Sequence, residues 1–234
     1  LAFAASWCHA QDRIVLRDNR VETGRVVGVR NGNVMVAVTG GEKGWPLAVV
    51  SRVEMAEPAA LTAARSALRA GDAARAIGGL RPIVEQFKGL PAAWAEEATG
   101  LLGEAYIAAA DLPEAEATFS DFKRFYPGGR GAVRADLGMA MLDLSRNKPA
   151  AARKRLEPIV AGALKRGAVT AEDGATFGQA FLLLGRAQEA ESRYPQALES
   201  YLLTVTVFHH DPAAAEEAQK RADDLRARQT VSVP

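Results

Sequence analysis

The sequence predicts a mainly α-helical protein that begins with a small all-β part. From Gln11 to about Met55, apolar and polar residues alternate, which is the periodicity of β-strands. After Pro58 the apolar residues follow helical spacing, and Gly, Pro and Asp interrupt them at intervals of roughly a dozen to fifteen residues. Hydrophobic residues make up 48% of the chain but aromatic residues only 6%. This composition favours helices that pack closely through alanine.

The periodicity divides the chain into four segments. We expect a remnant of a signal peptide, a small β-barrel, a helical repeat domain and a tail, over residues 1–10, 11–56, 57–228 and 229–234.

The first ten residues are apolar and unlike those that follow. Small residues ending in Ala10 precede the polar Gln11, as at the end of a secretory signal. This interpretation predicts a bacterial protein exported to the periplasm or beyond. The alternative is an N-terminal strand or helical turn that packs on the domain, which would make the protein cytoplasmic. No run reaches the roughly 18 apolar residues of a membrane-spanning helix, so we expect none.

The segment 11–56 contains valine-rich runs broken by Asn31-Gly32 and Gly40-Gly41, which predict four or five short strands. So short a segment has little core of its own, so we expect it to close as a barrel and to lean on the helices. The runs Ile14-x-Leu16, Val21-x-x-Gly24-x-Val26 and Ser51-Arg52-Val53-Glu54 resemble SH3-like or Sm-like small barrels. The resemblance implies a bent first strand with Gly24 at the bend.

The helical segment contains a repeated pattern. Its clearest copy is Leu102-Gly103-x-x-Tyr106, followed by Ala115-x-x-x-Phe119-x-x-Phe122 and then Pro127. This pattern resembles the tetratricopeptide repeat (TPR) family, in which two antiparallel helices form each repeat. The resemblance implies an α-solenoid of three to four stacked hairpins, because one hairpin cannot bury its own apolar face.

The other copies match less well. One begins at Leu184-Gly185, with Gln188 in place of the usual aromatic residue, and a degenerate first copy contains Ala64. A third begins at Leu137-Gly138, and its turn, from Ser145 to Pro149, is expected to be about two residues longer. The glycines of the pattern are expected to let the second helix of each hairpin approach the first. A charged helix from Ala213 to Arg228, with Asp211 as N-cap and Pro212 at the first helical position, is expected to cover the last repeat.

The TPR resemblance also implies a binding surface. In this family the first helices of the hairpins line a groove that takes an extended or helical peptide. The positions that correspond to it here are Arg65, Leu68, Glu97, Glu104, Ile107, Met139, Leu142, Gln179, Arg186 and Glu189. Their charges are mixed, which selects neither acidic nor basic partners. The alternative is that these residues are ordinary solvated helix faces.

Catalytic, cofactor and metal sites are not predicted. Cys8 is the only cysteine, and His209 and His210, adjacent on a helix, would point about 100° apart. The remaining histidine, His9, lies in the expected signal. Ser and Thr residues therefore lack a suitable base, and acidic neighbours such as Glu96 and Glu97 look like solvated helix faces.

The predicted function is a non-enzymatic scaffold that binds a protein or peptide in the periplasm or cell envelope. One alternative is a structural subunit that assembles with copies of itself. A third hypothesis is an RNA-binding barrel, which would use Arg17, Arg20, Arg25 and Arg30. A net charge of +1 does not require a nucleic-acid partner, and we predict none.

Overall fold

The computed structural model describes residues 11–166 and 169–228. Within them, five antiparallel β-strands precede nine α-helices, which confirms a mainly helical protein with a small all-β part. The strands are β1 (Asp12–Leu16), β2 (Val21–Arg30), β3 (Asn33–Val38), β4 (Gly41–Pro46) and β5 (Val50–Glu54). The helices are α1 (Ala59–Arg69), α2 (Ala73–Gln86), α3 (Ala93–Ala108), α4 (Leu112–Phe125), α5 (Gly129–Ser145), α6 (Pro149–Leu164), α7 (Ala171–Ala190), α8 (Tyr194–Thr206) and α9 (Pro212–Arg228). None of these described helices is long and apolar enough to cross a membrane. The predicted signal remnant, 1–10, and tail, 229–234, lie outside the described residues.

The chain divides into two compact units, Leu1–Ala105 and Tyr106–Pro234. The division falls within α3, whereas strands give way to helices near residue 57. Packing explains the difference, since α1, α2 and most of α3 belong to the same unit as the sheet. There the side-chain amide of Gln86 donates to the carbonyl of Val27 at 2.9 Å. The first unit therefore combines the antiparallel sheet with the first helices.

The sheet has the order β4-β3-β2-β1-β5. Residues 21–24 of β2 pair with β1 and residues 25–30 pair with β3, so the strand changes partner after Gly24. A β-carbon on Gly24 would lie 2.4 Å from Cγ1 of Val36, so this close approach requires glycine. The bend predicted in the first strand thus lies in the second. The edges of this sheet are β4 and β5, and hydrogen bonds between described strands do not join them.

Four turns of the same geometry join the helices in pairs. Each turn has three residues, and its middle residue has a positive φ: Gly71, Ala110, Asn147 and Ser192. This left-handed conformation is a common end to a helix. Five residues after each of these positions stands a fully buried alanine, namely Ala76, Ala115, Ala152 and Ala197.

The common turn corrects the register predicted for the third pair. The turn between α5 and α6 has three residues, like the others, rather than two more. Seven residues before Asn147 stands Ala140, in the position that Gly103 and Gly185 occupy in their pairs. Gly138 has a different role, since a β-carbon there would lie 2.1 Å from Cε1 of Phe119 in α4. Gly138 therefore allows the close approach of α4, the second helix of the preceding pair, and not that of α6, the helix paired with α5.

The second unit ends with α9 packed on α7 and α8. Asp211 accepts hydrogen bonds from the backbone amides of Ala213 and Ala214, which confirms it as the N-cap. Four buried residues of α9 pack against Leu182, Leu198 and Tyr201. They are Ala214, Ala218, Ala222 and Leu225. The polar residues of α9 remain on its other faces, as expected for a helix that covers the last repeat.

Candidate functional site

In the first unit, two of the predicted groove residues, Arg65 and Glu97, form an ion pair with each other. The guanidinium of Arg65 lies 2.7 Å from a carboxylate oxygen of Glu97 and 2.8 Å from one of Glu57. Hydrogen bonds to Glu97, and then to Glu57, raise the pKa of Arg65. The charges of Arg65 and Glu97 therefore satisfy each other. Leu68, on the same helix, is half-buried.

In the second unit, an open hollow of about 490 Å³ lies between α5, α7 and α9. Of these, α5 and α7 are the first helices of their pairs, on which the groove is predicted, and α9 is the helix predicted to cover the last repeat. Its lining consists of Leu144, Arg186, Glu189, Ala190, Tyr194, Arg221, Leu225 and Arg228. The hollow thus combines apolar side chains with three guanidinium groups and one carboxylate.

The carboxylate in this lining is already bound within the protein. Glu189 accepts a hydrogen bond from the hydroxyl of Tyr201 at 2.7 Å and another from Arg221 at 3.2 Å. Burial raises the pKa of the Tyr201 hydroxyl, and the bond to Glu189 adds to the effect, so the phenol stays neutral and donates. This network ties α8 and α9 to α7 beside the hollow.

Arg221 is also bound within the protein. It donates to Glu217 at 2.8 Å. Burial opposes its charge, but the attraction of Glu217 and Glu189 prevails, and the pKa of Arg221 is raised. Its guanidinium thus fixes two carboxylates, leaving little of either charge to meet a partner.

The other two arginines of the hollow have only distant ionic partners among the described residues. Arg186 lies 3.9 Å from Glu217, and Arg228 lies 3.6 Å from Asp224. Both separations exceed ordinary hydrogen-bond lengths, so the guanidinium donors still have room for another acceptor. With three arginines and one glutamate, the lining of the hollow therefore has a net positive charge.

Two of the ten predicted groove residues, Arg186 and Glu189, line this hollow. Gln179 instead donates to Asp211 at 2.9 Å, at the beginning of α9. Glu104 and Ile107 of α3 are half-buried and line neither this hollow nor a second one of about 340 Å³.

The two predicted groove residues of α5, Met139 and Leu142, do not line the first hollow. Met139 lines the second hollow, which lies between α4, α5 and α6. Leu142 has 1% of its surface exposed, so it belongs to the core and cannot contact a partner. Both follow from the register of α5: with the turn at Asn147, the positions equivalent to Arg186 and Glu189 are Met141 and Leu144. Leu144 does line the first hollow.

Sequence reasoning missed most of the remaining lining. Ala190 ends α7, Tyr194 begins α8, and α9 supplies Arg221, Leu225 and Arg228. Aligning the turns instead of the Leu-Gly pairs would have found Leu144, because each turn fixes the register of the helix before it.

The other candidate chemistry does not assemble into a site. Within the described residues, no three His, Cys, Asp or Glu side chains are placed to hold a metal ion. His209 and His210 stack on each other, with ring centroids 5.1 Å apart. On the sheet, Arg20 pairs with Asp18 at 2.8 Å and Arg30 with Glu42 at 2.7 Å. Two of the four arginines considered for RNA binding are thus neutralised.

Comparisons with known proteins add little to this description. No family model matches the chain, and no curated protein matches it significantly. Among solved structures, MamA 41-end from Desulfovibrio magneticus RS-1 is similar, with 18% sequence identity and a TM-score of 0.43. The similarity covers 74% of this chain and 99% of that one. We therefore infer function from the residues of this chain.

Proposed function

We propose that this protein is a non-enzymatic scaffold of the TPR type, which binds a segment of another protein in the hollow between α5, α7 and α9. One observation carries the proposal. An open hollow lies on the first helices of consecutive pairs, and its lining combines apolar side chains with guanidinium groups. Such a surface can bury a partner's apolar side chain and bind its polar groups.

The repeated turns support the TPR assignment. The four positive-φ residues and the buried alanine five residues after each describe one structural unit used four times. In repeat proteins each unit packs on its neighbours, and the exposed faces of equivalent helices form the binding surface. Half of the residues lining the hollow, Leu144, Arg186, Glu189 and Ala190, come from the equivalent helices α5 and α7.

The chemistry of the hollow favours binding over catalysis. Its lining has arginine, leucine, alanine and tyrosine side chains, together with Glu189. A general base must be able to accept a proton from substrate. Oε2 of Glu189 already accepts hydrogen bonds from Tyr201 and Arg221, which fix this carboxylate within the protein.

We also propose that the protein acts in the periplasm or cell envelope. The support is the apolar stretch that ends at Ala10, before a polar segment. Expression from the natural gene, followed by cell fractionation and N-terminal sequencing, tests this. Export predicts a periplasmic or membrane-associated protein that begins near Gln11, whereas a cytoplasmic protein retaining residues 1–10 would contradict it.

The binding function can be tested by blocking the hollow. Ala190 lines it, is exposed and ends α7, so Ala190→Trp should fill the space without disturbing the core. Ala161→Trp, at an exposed position of α6 outside the lining, is the matched control. Each protein is used as bait in cell-envelope extract from the native organism, and captured proteins are identified by mass spectrometry. We expect a partner retained by the wild type and Ala161→Trp but lost with Ala190→Trp; equal capture by all three would reject the hollow as the binding site.

A further inference from the structure

We propose that the hollow selects an acidic peptide segment that also carries an apolar side chain. In this arrangement Arg186 and Arg228 bind the carboxylates, while Leu144 and Ala190 contact the apolar side chain. The inference rests on the proposed function and specifies the chemistry of its partner.

The hollow has a positive character because its carboxylates have closer partners within the protein than two of its arginines do. Glu189 and Glu217 are held at hydrogen-bond distance by Tyr201 and Arg221. Arg186 and Arg228 have no described ionic partner closer than 3.6 Å. The carboxylates of Glu189 and Glu217 are thus hydrogen-bonded inside the protein, while the guanidinium groups of Arg186 and Arg228 have only the looser ion pairs at 3.9 and 3.6 Å. The whole chain carries only +1, so this is a local property of the hollow.

The exposure of the two arginines suits them to bind a partner. The side chain of Arg186 is 36% exposed and that of Arg228 is 71% exposed. A guanidinium can donate two parallel hydrogen bonds to one carboxylate, which makes arginine the preferred residue for this recognition. A basic peptide would instead meet the like charges of Arg186 and Arg228.

The apolar requirement comes from the apolar part of the lining. Leu144 is half-buried and Ala190 exposed, and the adjacent Leu225 is nearly covered. A purely acidic segment would leave this apolar part in contact with water. An apolar side chain between the carboxylates would cover it, and this burial drives association.

Selection from a random decapeptide display library tests this specificity. The full chain is the target, and Ala190→Trp removes peptides that bind elsewhere. We expect the enriched peptides to have a net negative charge and at least one Leu, Ile or Phe.

The best-enriched peptide is then synthesised with a fluorescent label, and binding is measured by anisotropy. We expect the double variant Arg186→Gln/Arg228→Gln to raise Kd about tenfold or more, since two charged hydrogen-bonding groups are lost. Arg226→Gln is the matched control, because Arg226 is an exposed arginine of α9 outside the lining. It should change Kd less than about twofold. Added salt should weaken binding to the wild type more than to the double variant. Circular dichroism of each variant establishes that it is folded.

The outcomes separate the two proposals. Enriched neutral or basic peptides that Ala190→Trp rejects would overturn the acidic specificity and leave the hollow as a binding site. A loss with Arg226→Gln equal to that of the double variant would also overturn the specificity. The absence of any enrichment over Ala190→Trp, together with equal capture of extract proteins by that variant and the wild type, would overturn both.

Discussion

Gly185 of α7 lies so close to Tyr201 of α8 that a β-carbon on the glycine would be 2.4 Å from Cε1 of the ring. Tyr201 is fully buried, and its hydroxyl is held by Glu189 at 2.7 Å. The ring therefore cannot move aside without breaking that bond. This contact sets the distance between the two helices and, through Glu189, links it to the hollow.

We expect Gly185→Ala to lower the free energy of unfolding by about 1–3 kcal/mol, the usual cost of overpacking a core. The control is Gly162→Ala in α6, where an added β-carbon meets nothing within 4 Å. It should raise the free energy of unfolding by about 0.5–1 kcal/mol, because alanine has the higher helix propensity. Urea denaturation measures both. If Gly185→Ala were as stable as Gly162→Ala, the close packing of α7 and α8 would be wrong.

The turn after α3 places an alanine in the left-handed region, with Ala110 at φ 59°. This conformation costs an alanine about 1–2 kcal/mol. Replacing Ala110 by glycine removes that cost, but part of the gain is lost because glycine has more conformational freedom in the unfolded chain. We expect Ala110→Gly to raise the free energy of unfolding by about 0.5 kcal/mol.

Asn147 provides the comparison, with φ 55° in the equivalent turn. Asparagine tolerates this region better than alanine, so Asn147→Gly should gain less than Ala110→Gly. Thermal denaturation of the two variants beside the wild type gives the order. A loss of stability with Ala110→Gly would argue against the left-handed turn at that position.

The sequence predicts the register of a helix pair correctly where the Leu-Gly motif stands at the same distance from the turn as in the clearest copy. Gly103 and Gly185 both stand seven residues before a turn residue with positive φ, so the TPR pattern aligned those pairs correctly. In the third pair a Leu-Gly dipeptide at 137–138 stands two residues too early. Gly138 is needed there for Phe119 of α4, a contact between successive pairs that a pattern within one pair does not contain.

The site was less predictable than the fold. Arg186 and Glu189 are predicted groove positions that line the hollow, on a helix whose register the pattern places at the observed turn. The two arginines from α9, Arg221 and Arg228, were missed because that helix was predicted only as a cover for the last repeat. Which of its side chains face the hollow depends on how α9 packs on α7 and α8, and helical periodicity alone does not determine that packing.

The corrected register of the third pair can be tested at two adjacent alanines of α6. Ala152 is fully buried at the position five residues after the turn residue, whereas Ala151 is exposed. We expect Ala152→Leu to lower the free energy of unfolding by about 1–3 kcal/mol or more, because the extra atoms have no space between the helices. Ala151→Leu should change it by less than about 0.5 kcal/mol. Urea denaturation that ranked them in the reverse order would place α6 in a different register.

The buried hydroxyl of Tyr201 predicts a loss of stability at alkaline pH. Burial and the bond to Glu189 raise the pKa of Tyr201 above its ordinary value of 10.0. The folded protein thus holds this proton more tightly than the unfolded chain does. The resulting stabilisation is fully present below pH 10.0 and is lost as pH rises from there toward the folded-state pKa. We expect the free energy of unfolding to fall by up to about 1.4 kcal/mol per pH unit from this group alone.

Urea denaturation at a series of pH values on both sides of 10.0 measures this slope. Tyr201→Phe should lose stability at neutral pH, because Glu189 loses a hydrogen bond, but its alkaline slope should be shallower than that of the wild type. Phe122→Leu serves as the control, since it removes part of a buried ring that carries no titratable group. It should be destabilised yet keep the wild-type slope. An unchanged slope in Tyr201→Phe would mean that the hydroxyl is not held in the buried, hydrogen-bonded state that ties α8 to the hollow.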